Sequence, residues 1–262
     1  LVLDNLGYRV FAGVRRERDG DALKQRASGR VTPILIDVTK PDLIASASDL
    51  VRSQVGAAGL AGLVNNAGIV VAGPLETLPL AALRTQFEVN LLGQLAVTQA
   101  FLPLLRQGRG RVVNMGSISG RLALPLLGPY AASKSALESI TNALRLELRE
   151  WAIPVTIVEP GTISTPIWEK SGNAANEIGS SLSSSAQALY RRLISAAEHT
   201  LARAAKSGIP PERVARVVAR ALVAKRPRTH YLVGRDARVL AILARLLPAR
   251  VRDRLILGAF RC

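Results

Sequence analysis

The 262-residue chain has little cysteine, histidine, methionine or aromatic side chain. Cys262, the last residue, is the only cysteine, which excludes an internal disulfide and leads us to expect a reducing, cytoplasmic setting. The two histidines, His199 and His230, stand far apart and no Cys/His cluster accompanies them, so no metal site is expected. Aromatics make up 4% of the residues, too few to interleave with the basic residues as base-stacking platforms require. The net charge of +16 is therefore read as a scattered, Arg-rich surface and not as a nucleic-acid interface. No apolar run is long and clean enough to span a bilayer. No linker, low-complexity run or solenoid repeat divides the chain. One domain over residues 1–262 is expected, with 1–168 as the core and 169–262 as a loop, a last strand and a helical tail. The first residue is Leu1 and the sole methionine is Met115. The opening LVLDNLG reads as the end of a helix capped by Gly7, so further residues are expected upstream, and any signal peptide with them.

What the chain does have is alternation. Apolar runs at 9–14 (RVFAGV), 31–38 (VTPILIDV), 60–68 (LAGLVNNAG), 111–117 (RVVNMGS) and 154–161 (PVTIVEPG) are rich in Val and Ile with little polar interruption, as buried parallel strands are. Helical patterns at 79–105 and 129–150 separate them. The expected fold class is α/β, a doubly wound parallel sheet of Rossmann type covered by helices on both faces. Beyond residue 165 comes a small, polar segment (171–185) that reads as a loop. A helix at 210–225, a last strand at 229–234 and an amphipathic basic tail broken at Pro248 follow it.

In such sheets ligands bind beyond the carboxyl ends of the strands. The unusual residues stand there: Arg15, Asp37, Asn65, Ser117 and the Pro160–Gly161 pair. Tyr130 and Lys134, four apart in a helical pattern, share one helix face. A phenol with a pKa of about 10 is a poor base at neutral pH, and a neighbouring ammonium lowers that value. The pair then suits acid/base work on an alcohol or carbonyl oxygen. Taken singly, these residues fit blander roles equally well: Tyr130 and Lys134 a surface pair, Asn90 a helix brace, Asp37 a turn residue.

Taken together and in order, NNAG (65–68), Asn90, Ser117, the YAASK segment and PG with Thr165 resemble the short-chain dehydrogenase/reductase family over about residues 1–168. The segment GRLALPLLGPYAASKSALESITNALRLEL, followed by VEPGTISTPIW, is similar to the branch holding retinol and 17β-hydroxysteroid dehydrogenases. The resemblance implies hydride transfer between a nicotinamide cofactor and a secondary alcohol or ketone. It implies that Tyr130 exchanges the proton, that Ser117 hydrogen-bonds the same oxygen, and that Lys134 binds the nicotinamide ribose and lowers the Tyr130 pKa. Asn90 would hold a water that links Lys134 to solvent. Asn65, Ala67 and Gly68 would pack beside the adenosine ribose, Asp37 and Val38 beside adenine, and Pro160, Gly161 and Thr165 around the nicotinamide. A homodimer or homotetramer, built through 79–105 and 129–150, is implied as well.

One departure stands out. The family opens with a strand and a Gly-rich turn that seats a pyrophosphate, and nothing of that kind precedes Leu1, so the first strand of the sheet is expected to be missing. A catalytically silent binding or scaffold protein of the same family is the competing reading. The second family strand runs into Arg15 and Arg16 with no carboxylate before Glu17, so NADP is expected over NAD, Arg15 being the first contact with its 2′-phosphate. Leu122, Leu124, Leu126 and Leu127 before Tyr130, and Ile167 and Trp168 after the PG turn, would flank a hydrophobic substrate resembling a steroid or retinoid, with Leu127 and Trp168 the named contacts. Leu240, Leu243 and Leu247 mark one face of the basic tail, which reads equally as a plain terminal helix, as a cover for the substrate site or a partner subunit, or as a weak contact with a membrane surface, the last being the specific expectation.

Overall fold

The computed structural model describes residues 1–165 and 184–259. A short helix α1 (Val2–Asn5) ends at Gly7, whose φ of +86° only glycine adopts cheaply. The Gly7 and Tyr8 amides donate back to the Asp4 and Leu3 carbonyls, which completes a left-handed helix stop. Six parallel strands follow: β1 (Val10–Val14), β2 (Val31–Leu35), β3 (Leu63–Asn65), β4 (Val112–Met115), β5 (Val155–Pro160) and β6 (His230–Val233). The helices between them are α2 (Glu17–Lys24), α3 (Pro41–Val55), α4 (Leu80–Phe87), α5 (Gly93–Gln107) and α6 (Gly128–Glu147). After β5 come α7 (Ser184–Ser207) and α8 (Pro211–Val223), and after β6 come α9 (Arg235–Leu246) and α10 (Ala249–Ala259).

The strands form two ladders. β1 pairs with β2, and β3 to β6 pair in chain order. Among the described residues no strand pairs β1 or β2 with β3 to β6. Side chains join the two parts instead: Ile34 of β2 lies in one core cluster with Ile44, Ala47 and Val51 of α3 and Val97, Phe101 and Leu104 of α5, and Phe11 of β1 and Leu63 of β3 pack on it.

Both faces of the larger sheet are covered, as its apolar strands require. Side chains alternate along a strand. Val112 and Val155 face Leu105 of α5 and Leu144 of α6, whereas Val113 and Val158 face Val214, Val218 and Ala221 of α8. All six residues of β5 are buried. The α8 stripe recurs at steps of four and three, one face of a helix. Among the described residues no helix is long and apolar enough to cross a membrane. Most of the 171–185 segment lies outside the described residues.

Candidate active site

Strand β4 delivers its last residues to the carboxyl edge of the sheet, and Ser117 begins a single 3-10 turn there by accepting a hydrogen bond from the Ser119 amide at 3.1 Å. That turn lies directly on α6. A Cβ on Gly120 would come within 3.0 Å of the Lys134 carbonyl carbon, so glycine is what permits the approach. Pro129 in the first turn of α6 presets the helical φ, and Tyr130 and Lys134 then project from one face.

Ser117, Tyr130 and Lys134 are all buried. Lys134 Nζ donates to the Met115 carbonyl at 2.7 Å and lies 5.8 Å from the centre of the Tyr130 ring. Burial pushes the Tyr130 phenol above its ordinary value of 10, with the Ser117 hydroxyl opposing. Burial also lowers the Lys134 ammonium from 10.5 to about 8. Desolvation of the phenolate is the larger effect on Tyr130. At neutral pH Tyr130 holds its proton and is set to donate it.

Asn90 sits in a single π-turn (Glu88–Leu92) between α4 and α5. Its Oδ1 accepts from the Ile69 amide at 2.9 Å, and its Nδ2 donates to the Ile69 carbonyl at 3.0 Å and to Ser133 Oγ at 3.1 Å. Both amide protons are thus spent bracing the loop after NNAG against α6. Two further amides do the same work, and the sequence reading missed them. Gln86 bonds the Val71 amide at 2.6 Å and the Ile69 carbonyl at 2.9 Å, and Gln94 bonds the Ala67 carbonyl at 2.7 Å. Their signal is three amides four residues apart on otherwise apolar helices.

The Asn65 side chain turns inward. It donates to Thr98 Oγ1 and Asn114 Oδ1, each at 2.8 Å, and Asn114 donates in turn to Thr141 Oγ1 at 2.9 Å. This chain of polar groups ties β3 and β4 to α5 and α6 and commits both Asn65 side-chain protons. Gly68 faces the centre: a Cβ there would lie 3.8 Å from Lys134 Nζ.

At the other end of the edge, Asp37 Oδ1 accepts from the Thr39 amide and hydroxyl at 2.9 and 2.8 Å, and these bonds hold its carboxyl below the usual range with help from the Arg15 charge. Val38 packs on the first core cluster and against Gly93. Arg16 is committed to Asp19 by a two-pronged pair at 2.9 and 3.0 Å. Arg15 is exposed and carries no ion pair among the described residues.

Pro160 ends β5, and the Gly161 amide donates to the Val233 carbonyl at 2.9 Å. The Thr162 amide donates to Asp236 Oδ2 at 2.6 Å, and a Cβ on Gly161 would overlap that carboxylate. Asp236 in the first turn of α9 thus holds the PG turn, a role invisible in the sequence. Thr165 is the last described residue before the gap, and Ile167 and Trp168 lie outside the described residues. Leu122 is buried in the core, whereas Leu124, Leu126 and Leu127 are half-buried.

The residues present fit a dinucleotide at its two ends: Lys134, Gly68 and the PG turn for the nicotinamide half, Arg15 and Asp37 for the adenosine half. Comparisons with known proteins give the family. The profile of the short chain dehydrogenase family matches residues 1–176. Retinol dehydrogenase 5 of Mus musculus is 38% identical over 259 residues, covering 97% of this chain and 81% of that protein. The 17-beta-hydroxysteroid dehydrogenase type 6 of Bos taurus is 34% identical over 259 residues, covering 96% of this chain and 80% of that protein. Among solved structures, a short chain dehydrogenase from Burkholderia cenocepacia in complex with NADP superposes with a TM-score of 0.69 at 26% identity, covering 94% of this chain and 86% of that one.

Proposed function

The chain belongs to the short-chain dehydrogenase family, an NAD(P)-dependent oxidoreductase, and on that footing we propose that Tyr130 is its proton donor and acceptor, with Ser117 and Lys134 beside it. The observation that carries this is the burial of Ser117, Tyr130 and Lys134 together, with the Ser117 turn packed on α6 and Tyr130 on the same helix face as Lys134. When bound, the nicotinamide supplies or takes the hydride. Toward a ketone, Tyr130 gives its proton to the substrate oxygen while the Ser117 hydroxyl holds that oxygen. Toward an alcohol the phenol must first release its proton, and a nearby ammonium favours that release. Lys134 and Gly68 would hold the nicotinamide ribose, and Pro160, Gly161 and Thr165 its ring. Asn90 keeps the loop at 67–71 against α6, and water reaching Lys134 does so past its backbone, since its side chain is engaged.

Tyr130→Phe tests this reading. Turnover should fall by about a hundredfold or more with cofactor affinity little changed. Cofactor binding without turnover by the unaltered protein, over a panel of hydrophobic secondary alcohols and ketones, would instead favour a silent binding or scaffold protein.

The finer assignments rest on particular residues. Exposed, uncommitted Arg15 supports NADP over NAD. The half-buried leucines 124, 126 and 127, in the segment just before Tyr130, support a lipid-like alcohol or ketone, as the names of the two relatives do for those proteins. Leu80, Leu92 and Leu146 are exposed on and between the helices that form subunit contacts by resemblance, which supports a homodimer or homotetramer. In the tail, Leu240 packs inward on Ile118, Ala237 and Ala241, so the face marked from sequence is core. The exposed apolar stripe is Val239, Ile242 and Leu246, flanked by Arg235, Arg238 and Arg245. It supports peripheral contact of a cytoplasmic protein with an anionic membrane. A triple serine substitution of that stripe should lower binding to phosphatidylserine vesicles and leave turnover unchanged; equal binding removes this assignment.

A further inference from the structure

Four charged or ionisable side chains meet one turn behind the reacting groups. Arg121, four residues after Ser117, lays its guanidinium on Glu159 with Nε to Oε1 at 2.5 Å and Nη2 to Oε2 at 2.8 Å. Glu159 is fully buried and immediately precedes Pro160. The same Nη2 lies 2.8 Å from His230 Nδ1 on β6 and 3.6 Å from Glu138 Oε1 on α6, one turn beyond Lys134. His230 Nδ1 is also 2.8 Å from Glu159 Oε2. Each partner comes from a different segment: the turn after Ser117, the helix of Tyr130 and Lys134, the strand that ends in the PG turn, and the last strand.

The carboxylates and imidazole of Glu138, Glu159 and His230 are close enough to share a cation. The guanidinium already spans both oxygens of Glu159, so a divalent ion would sit beside a fixed positive charge, and the cluster is complete without one. A buried ion pair is a poor device for stability, because desolvation offsets the attraction. Its geometry is another matter: a two-pronged guanidinium–carboxylate pair fixes distance and orientation together. Gly120 sets the same turn against the α6 backbone, so Arg121 acts at a point already in contact with the reacting helix.

We propose that Arg121 and Glu159 are positioning residues: their pair locks the Ser117 turn and the end of β5 against α6, so that Ser117 and Tyr130 converge on one substrate oxygen. This rests on the roles proposed above for Ser117 and Tyr130. Neither residue touches the substrate.

The test compares R121M, R121K and the double variant R121M/E159Q with Y130F and the unaltered enzyme, using NADP and the secondary alcohol that the unaltered enzyme oxidises fastest from a hydrophobic panel. R121M leaves Glu159 buried without its partner and should lose both folding stability and turnover. The double variant removes that stranded charge. It should regain the unfolding midpoint of the unaltered enzyme while kcat stays about a hundredfold low, the cost of an ångström-scale misplacement, with KM for NADP changing far less than kcat. R121K keeps the charge and loses the fork, and should fold with kcat lowered about tenfold. Recovery of kcat together with stability in the double variant, or full kcat in R121K, overturns the proposal and leaves the pair a structural one. If Y130F turns over normally, or the unaltered enzyme oxidises no alcohol in the panel, the reading of the site falls and this inference with it. If Y130F is impaired and the double variant is not, this inference alone falls.

Discussion

Replacing Lys134 by Met should separate the electrostatic cost of the site from its function. The ammonium is buried against a single carbonyl, and its pKa is lowered from 10.5 to about 8 by desolvation. At about 1.4 kcal/mol per tenfold change in proton affinity, the folded state bears about 3 kcal/mol for keeping that charge. The sign follows from linkage. Below pH 8 the lysine is charged in both the folded and unfolded chain, and the cost is present in full. Between pH 8 and 10.5 the folded protein has released a proton that the unfolded chain still holds, so stability rises with pH. Above that range the cost is gone. Urea unfolding of both proteins at intervals from pH 7 to 10.5 gives the difference in free energy, in which titrations common to both cancel. The unaltered protein should gain about 3 kcal/mol on K134M across that range, and K134M should have lost turnover throughout. A difference that stays flat across the range would refute the claim that Lys134 is buried as a charged group.

Arg15→Asp should weaken NADP binding far more than NAD binding, whereas Arg16→Ala should change the ratio little, because Arg16 is already paired with Asp19; titration of cofactor fluorescence reads both. Asp236→Ala removes the acceptor of the Thr162 amide and should loosen the PG turn, seen as cofactor affinity lowered about tenfold with the pH profile of kcat unmoved. Asn90→Ala strands the Ile69 amide, while the Ile69 carbonyl keeps Gln86, and should destabilise the fold by about 1–3 kcal/mol in chemical denaturation.

The strands, and the buried cluster of Ser117, Tyr130 and Lys134 proposed as the reacting groups, were legible because their signals are local. A Val/Ile run between helical patterns marks a buried strand, and the spacing of Tyr130 and Lys134 needs only one helix. What was not legible is buried polarity. Gln86, Gln94, Asn114 and Glu159 look like surface residues in a linear sequence, and only the packing of distant segments encloses them. The tail shows a second limit. Two apolar stripes interleave on α9, and period alone cannot rank them. The small residues Ala237 and Ala241 decide which stripe meets the core, by letting the helix approach Ile118. The split between β1–β2 and β3–β6 likewise depends on pairing, which no single segment encodes.

The π-turn around Asn90 acts as a phase corrector. Gln86 and Gln94 are eight residues apart, which in a continuous α-helix at 3.6 residues per turn leaves them about 80° out of line. Both nevertheless grip the same short loop. The wider turn at Glu88–Leu92 absorbs one residue, so the two amides stand as if seven apart, within about 20° of each other. Length is thus tolerated unevenly along this segment. Loss of one residue inside the turn would restore plain helix and keep both glutamines aimed at the loop, at the expense of Asn90 alone. Loss of one residue from α4 or α5 would swing everything beyond it by about 100° and take an amide off the loop.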